Sequence, residues 1–359
     1  MSVSMLSEQL AKSGISTEVY TTTANGKTEL DVLPGVPTEI DGVKVTYFKR
    51  VTKDHSHFSP ALLKKLWLEV KNFDAVHIHA WWNLVSIFSC LIALSRRVSV
   101  IISPRGTLSP YSFQNKNIGP KWLIHHLLGK YLLNRCTLHV TSEREKEAVM
   151  SLLHAKKIIT LPNFVKLPPK KAWPPRKGSE ALRLLFFSRI EQKKGLDILF
   201  SALPAVTIPY ILSIAGDGDK NYTEHLKTVA RQNLIENKIN WLGFQNENKF
   251  DVLYGHDLFI LPSYDENFGN AIIESLCVGT PVLISEQVGL AGYVKKNGLG
   301  WVCKTTPESV SDTINNIAEK EMSVIGDIRD RGPNIIYNDF EEGVLVAKYI
   351  DLYNKTIIK

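Results

Sequence analysis

Short apolar runs alternate with amphipathic segments along nearly the whole of this chain. Residues 17–22, 43–48, 75–79, 98–103, 137–141 and 158–161 read as strands. Those at 75–79, 98–103 and 137–141 read as buried strands. Residues 4–13 and 60–71 carry apolar side chains at helical spacing. This alternation predicts a parallel sheet with helices on both faces. Residues 167–178, rich in proline and charge, break the pattern and read as a linker. Beyond it a second alternating unit covers residues 181–335, and a last helix runs from Phe340 to Tyr353. The predicted division is a first domain over 1–165, a linker over 166–180 and a second domain over 181–339.

Candidate chemistry gathers where strand patterns of the second domain end. The apolar run 257–263 closes at Pro262, and after Gly269 the residues Ile272, Ile273, Leu276 and Cys277 recur with helical spacing. A helix starting there has first amides without intrahelical partners, so Gly269, Asn270 and Ala271 would favour an anion. Glu266 precedes that helix and Glu274 lies about one turn inside it. The two carboxylates can accept hydrogen bonds from different parts of one ligand, a hexose and a ribose diol, or they can be solvated charges on an ordinary surface helix. Upstream, residues 183–190 read as a strand, and Gly195 opens a helix carrying Leu196, Ile198, Leu199 and Leu203. Arg189 and Lys194 thus fall at the carboxyl end of a parallel strand, where open α/β sheets bind ligands. Fixed cations and helix-end amides there could neutralise a departing diphosphate. As an isolated pair they would read equally well as solvated bases.

Together these residues resemble a known family, the retaining glycosyltransferases of family 4, with the GT-B architecture of two doubly wound, Rossmann-like domains facing a cleft. The resemblance rests on Ser188-Arg189-Ile190 with residues 193–197, on Ala215-Gly216-Asp217-Gly218, on Leu242-Gly243-Phe244, and on Glu266-Asn267-Phe268-Gly269 with Glu274, followed by residues 279–282. It is strong over residues 181–303 and looser over 2–165. It implies that Arg189 and Lys194 hold the donor diphosphate and that Glu274 binds the ribose hydroxyls. Glu266 then contacts the transferred sugar, helped by the amides of Phe268, Gly269 and Asn270. Gly216 and Gly218 match a turn that lets backbone approach the nucleotide, and Gly243 with Phe244 matches the base pocket. The family transfers with retention and usually without a metal, so the resemblance implies a nucleoside-diphosphate sugar as co-substrate and no cofactor. It also implies that the terminal helix, 340–359, completes the first domain.

Composition narrows the partners. The chain carries a net charge of +7 and a pI near 9.0, which calls for nucleic acid, anionic lipid or a nucleotide substrate. The absence of helix-turn-helix, zinc or aromatic-basic signatures makes nucleic acid the weakest of the three. Residues 121–135 can form a basic amphipathic helix lying on anionic membrane, or a core helix whose lysines reach out to water. The apolar stretch 84–94 is shorter than the roughly 20 residues that span a bilayer. Four scattered cysteines, Cys90, Cys136, Cys277 and Cys303, favour reduced thiols and hence the cytoplasm, with contact at most with the inner face of its membrane.

On the acceptor side, Arg105 and Gly106 follow one strand pattern, and His79 and Trp82 follow another. Arg105 could bind a phosphate of a lipid-linked acceptor or of the donor, or could hold its own loop. Trp82 could stack on a sugar, and His79 is functional or structural. His55 with His57, and His77 with His79, alternate as strand ligands do, but no carboxylate or cysteine completes either set, so no zinc is predicted. The strand and glycine-rich loop that open the family's first domain are missing before residues 3–14. The expected activity is hexosyl transfer to a saccharide or lipid-linked acceptor in polysaccharide, capsule, lipopolysaccharide or glycolipid synthesis. The alternatives are a truncated, non-catalytic nucleotide-sugar-binding protein and a nucleotide-sugar epimerase.

Overall fold

The computed structural model describes every residue except 1, 27, 53, 55, 110–111, 113–127, 171–172, 176–178 and 358–359. The chain forms two compact units, Met1–Phe164 with Glu342–Lys359, and Val165–Glu341.

In the first unit, α1 (Ser2–Lys12) precedes β1 (Glu18–Thr22), the ribbon β2 (Ala24–Asn25) and β3 (Thr28–Glu29), β4 (Pro37–Ile40) and β5 (Val43–Phe48). Then follow α2 (Pro60–Glu69), β6 (Ala75–His79), α3 (Leu84–Ser95), β7 (Ser99–Ser103), α4 (Lys130–Leu133), β8 (Thr137–Val140), α5 (Glu143–Leu152) and β9 (Ile158–Thr160). The expected single sheet is instead two pieces. β1 pairs parallel with β5, β4 pairs antiparallel with β5, and β6-β7-β8-β9 form a separate parallel sheet. Among the described residues β1 and β6 each have one hydrogen-bonded neighbour, because no strand lies between them in the ladder. A helical layer serves both pieces: α2 packs on β1 and on α3, and α3 packs on β6 and β7. Their shared core includes Val70, Trp81, Ile102, Leu132 and Leu138, with Tyr20 of β1 packed against it. Each such side chain withdrawn from water contributes roughly 1.5–3 kcal/mol.

Residues 121–127 of the expected amphipathic helix, and His55, lie outside the described residues. At the described end of that helix, Leu132 and Leu133 are buried in the core, while Tyr131 is exposed beneath the Arg135 guanidinium. Cys90 and Cys136, far apart in sequence, meet in the same core as free thiols, Sγ to Sγ 3.5 Å.

The second unit contains β10 (Leu182–Phe187), α6 (Leu196–Ala202), β11 (Tyr210–Ala215), α7 (Lys220–Gln232), β12 (Ile239–Gly243), α8 (Lys249–Tyr254), β13 (Leu258–Leu261), α9 (Asn270–Cys277), β14 (Val282–Ser285), α10 (Ala291–Asn297), β15 (Gly300–Cys303), α11 (Pro307–Lys320) and α12 (Met322–Phe340). Its six strands lie in the order β12-β11-β10-β13-β14-β15, all parallel. The chain order reverses between β10 and β13, and such a switch opens a crevice at the carboxyl ends of the strands. β13 is fully buried, as its unbroken run Leu-Phe-Ile-Leu requires. The described part of the predicted linker is packed down: Trp173 stacks on Tyr254 at 4.6 Å, and Tyr337 donates to the Pro168 carbonyl. The last helix, α13 (Glu342–Thr356), belongs to the first unit, where it packs on α1 and stacks Tyr349 on Phe164.

Candidate functional site

Four loops at the carboxyl ends of β10, β11, β12 and β13 carry the donor-side candidates. The β10 and β11 loops are stitched together: Ile190 donates to the Asp217 carbonyl at 2.8 Å and forms a parallel bridge with Gly218. A Cβ at Gly216 would overlap the Ser188 carbonyl oxygen, and one at Gly218 would overlap that of Ile190. Both glycines therefore let the Arg189 loop and the β11 loop touch. Gly216 N also donates to the Gly243 carbonyl at 2.8 Å, which ties in the β12 loop. Arg189 is largely exposed, pairs with Glu191, and borders an open hollow of about 480 Å³ with Asp217, Asp219 and Tyr222.

After Arg189 a single 3₁₀ turn, Gln192–Lys194, ends at Gly195 in the left-handed region, where a Cβ would strike the Pro262 carbonyl. This packing seats Lys194 beside the β13 loop. Lys194 is buried, and its Nζ forms an ion pair with Glu266. Tyr264 fastens the same two loops through its amide to the Lys193 carbonyl, 2.9 Å, and its hydroxyl to Asp197, 2.8 Å. Gly269 at φ +94° turns the chain into α9, so the amides of Asn270 and Ala271 open the helix. The Phe268 side chain is in the core against Phe340, so any contact it offers to a ligand is through backbone. Glu274 is nearly buried, and its Oε1 accepts from Lys249 Nζ at 2.8 Å. Gly243 adopts φ +66° with open space around it, and Phe244 is exposed. The β10 and β13 loops and α9 thus bring Lys194, Glu266 and the first turn of α9 together, with Glu274 one turn further on.

The acceptor-side candidates lie in the first unit at the ends of β6 and β7. Arg105 sits at φ +56°; its Nη1 donates to Asn163 and its Nη2 meets His79 Nδ1 at 3.4 Å. Gly106 N donates to the buried Glu145, which also accepts from the amide and hydroxyl of Thr141. Trp82 Nε1 donates to the Thr107 carbonyl at 2.5 Å. Of the roles open to Arg105, its contacts with Asn163 and His79 are those of a loop holder.

Behind them lies a buried polar chain whose hydrogens follow from its partners. His139 Nε2 faces the Leu161 carbonyl at 3.0 Å, and a carbonyl only accepts, so Nε2 carries the hydrogen and Nδ1 is bare. Ser103 therefore donates to His139 Nδ1 at 2.5 Å and accepts from His77 Nε2 at 2.6 Å. The bare Nδ1 of His77 then accepts from Tyr353 at 2.8 Å. Tyr349 donates to the Pro162 carbonyl at 3.0 Å. Burial and the neighbouring Arg105 charge depress the basicity of His139 to about 3, and burial holds His77 and His79 well below their ordinary value. The alternating His77 and His79 are thus spoken for by Tyr353, Ser103 and Arg105. No group of three potential ligands for a metal occurs among the described residues.

Comparison with known proteins decides the family. The profile of the glycosyl transferases group 1 matches residues 169–349, half the chain, and that of glycosyltransferase family 4 matches residues 1–167. The chain belongs to the group 1, family 4 glycosyltransferases. An uncharacterized glycosyltransferase of Methanocaldococcus jannaschii is 26% identical over 77% of this chain and 76% of its own length. The phosphatidyl-myo-inositol mannosyltransferase of Propionibacterium freudenreichii is 22% identical over 71% of this chain and 66% of its own. Among solved structures, Anabaena HepE in complex with UDP and glucose superposes with a TM-score of 0.75 at 17% identity, covering 99% of this chain and 96% of that one. Sucrose-phosphate synthase from Thermosynechococcus elongatus gives 0.75 at 15%, covering 98% and 92%. These likenesses show the fold, which is GT-B. The protein is a GT-B glycosyltransferase related to synthases of glycolipids and polysaccharides. No helix among its described residues is long and apolar enough to cross a membrane.

One residue of this family 4 enzyme escaped the sequence reading. Lys249 stands 25 positions before Glu274 and on another element. A faint signal existed: a lysine at the first position of a helix faces the positive end of the helix dipole, so it needs a partner from elsewhere.

Proposed function

We propose that the chain transfers a hexose-type sugar, with retention, from a nucleoside-diphosphate sugar to a saccharide or lipid-linked acceptor. The observation that carries this reading is the gathering of Lys194, Glu266 and the first turn of α9 at the switch point of the second sheet, with Glu274 along the same helix. In this reading Arg189, Lys194 and the α9 amides hold the diphosphate and take up its charge as it leaves. Glu266 lies against Lys194, so the sugar it would contact is next to the phosphates. Glu274 accepts from the ribose hydroxyls, while Gly243 and Phe244 border the base. The phosphate oxygen that leaves takes the acceptor proton on the face where the acceptor attacks, so no metal or cofactor takes part. Two relatives act on lipids by name, the mannosyltransferase above and an α-galactosylglucosyldiacylglycerol synthase of Streptococcus pneumoniae. With the net charge of +7, they support a glycolipid or polysaccharide product, such as capsule or lipopolysaccharide, made at the inner face of the cytoplasmic membrane.

One observation favours a second reading, a protein that binds nucleotide sugar without transferring it. The first unit's sheet is in two pieces, and acceptor groups would stand on it. A single experiment separates the two. UDP- and GDP-hexoses are titrated calorimetrically in EDTA, then turned over with membrane lipid extract, and the product anomer is read by NMR. Transfer with the donor's anomeric configuration supports the first reading; tight binding without turnover supports the second; inversion or dependence on added metal overturns the mechanism. Glu274→Ala and Lys194→Ala should each cost about 2–4 kcal/mol of donor binding, as loss of a charge-assisted contact in a closed site does.

A further inference from the structure

We infer that Lys249 is a positioning residue of the donor site: it holds the Glu274 carboxylate in the rotamer that meets the ribose and anchors the loop that borders the base. The inference rests on the donor reading above.

A carboxylate as buried as Glu274 needs a partner in place before any ligand arrives. Ile272, Ile273 and Leu276 of α9 are fully buried and apolar. Lys249 Nζ is on Oε1 at 2.8 Å, and both side chains are nearly closed to water. The contact engages one carboxylate oxygen and leaves the lone pairs of Oε2 for other donors. It also fixes the direction in which Oε2 points, because a buried ion pair with one short contact restricts the carboxylate torsion.

The start of a helix disfavours a lysine where Lys249 stands. The residue opens the six-residue helix α8, its N-cap Asn248 makes no side-chain cap, and the helix dipole opposes a cation there. The ring of Phe250 lies 4.8 Å from Nζ and gives it one further contact. Lys249 also ends the segment that begins at Gly243. That segment is pinned at one end by Gly216 N donating to the Gly243 carbonyl and at the other by the Lys249–Glu274 pair. Base-bordering backbone and ribose-binding carboxylate are therefore registered to each other through one ammonium group.

The test compares ribose recognition in wild type, Lys249→Met, Lys249→Arg, Glu274→Ala and the double variant K249M/E274A. Dissociation constants are measured by calorimetry for UDP and GDP, and for the 3′-deoxy form of whichever binds. Wild type should bind the parent nucleotide more tightly than the 3′-deoxy form. Lys249→Met should weaken parent binding about tenfold and collapse that preference, and Lys249→Arg should restore most of both. The double variant should bind like Glu274→Ala alone, since Lys249 acts through Glu274. Circular dichroism and thermal midpoints establish folding; should Lys249→Met fail to fold, Lys249→Gln takes its place in the comparison. A folded Lys249 variant that keeps the wild-type preference overturns the inference. Glu274→Ala that keeps the preference overturns instead the ribose assignment of Glu274, and wild type that binds neither nucleotide overturns both.

Discussion

Replacing Ser103 with alanine removes one hydroxyl and orphans two ring nitrogens. Ser103 is fully buried, accepts from His77 Nε2 and donates to His139 Nδ1. The methyl left behind fills nearly the same space, so the cavity contribution is small. The cost is in the partners: a buried N–H and a buried imidazole lone pair each lose their bond, at about 1–3 kcal/mol apiece. The expected loss is therefore about 4 kcal/mol, against the roughly 1 kcal/mol of an ordinary surface substitution. For a unit of this size that is a fall of roughly 8–16 °C in the first unit's thermal midpoint. Urea unfolding followed through the histidine NMR signals reads the loss directly. The ¹⁵N shifts of wild type should show both His77 and His139 as the Nε2–H tautomer. A loss below about 1 kcal/mol, or a wild-type His139 carrying its hydrogen on Nδ1, would refute the hydrogen assignment from which the magnitude is worked.

The same histidines give a pH dependence. They are neutral when folded and ordinary when unfolded, so below an unfolded pKa near 6.5 the unfolded chain binds protons that the folded one refuses. Stability should fall as pH drops below about 6.5, by up to about 1.4 kcal/mol per pH unit for each such histidine, measured by urea titration from neutral pH downward. Gly216→Ala should cost about 3 kcal/mol or more, because its Cβ meets the Ser188 carbonyl in a backbone conformation that suits only glycine, whereas Gly243→Ala, with open space, should cost about 1 kcal/mol. Thermal midpoints of the pair distinguish a packing requirement from a conformational one. Arg105→Ala should lower transfer more than nucleotide affinity if its loop serves the acceptor, since Asn163 and His79 lose their shared partner; equal loss of both would contradict that acceptor role. Asp257→Asn should cost about 3–5 kcal/mol, because Asp257 is the buried counter-charge of both Arg183 and Arg329.

The parts of the fold readable in the chain were those under a local rule. β13 is an unbroken apolar run and β7 centres on one, Val-Ile-Ile, and both are buried at every position, as strands covered on both faces are. Gly195 and Gly269 mark the turns into α6 and α9 because each sits at positive φ. β4 was not foreseen: its Pro-Thr-Glu-Ile is exposed throughout and carries no alternation to read. The division of the first sheet accords with the strand expected and not found before residues 3–14, since among the described residues no strand lies between β1 and β6. Within the site, Lys194, Glu266 and Glu274 could be singled out from spacing around two turns, but their pairing, and the place of Lys249 in it, could not. The Lys194–Glu266 and Lys249–Glu274 pairs join elements 72 and 25 residues apart. The histidine chain shows the same limit. His77 and His79 share a strand face by periodicity, yet Ser103, His139 and Tyr353 reach them from two other strands and from α13.

The most direct test of the central claim is hydrogen exchange of the wild-type protein with and without saturating UDP or GDP. The account predicts protection confined to the second unit, at Arg189 to Lys194, at Gly216 to Gly218 and at Phe268 to Ala271. Protection elsewhere, with those amides unchanged under a nucleotide shown to bind, would contradict it.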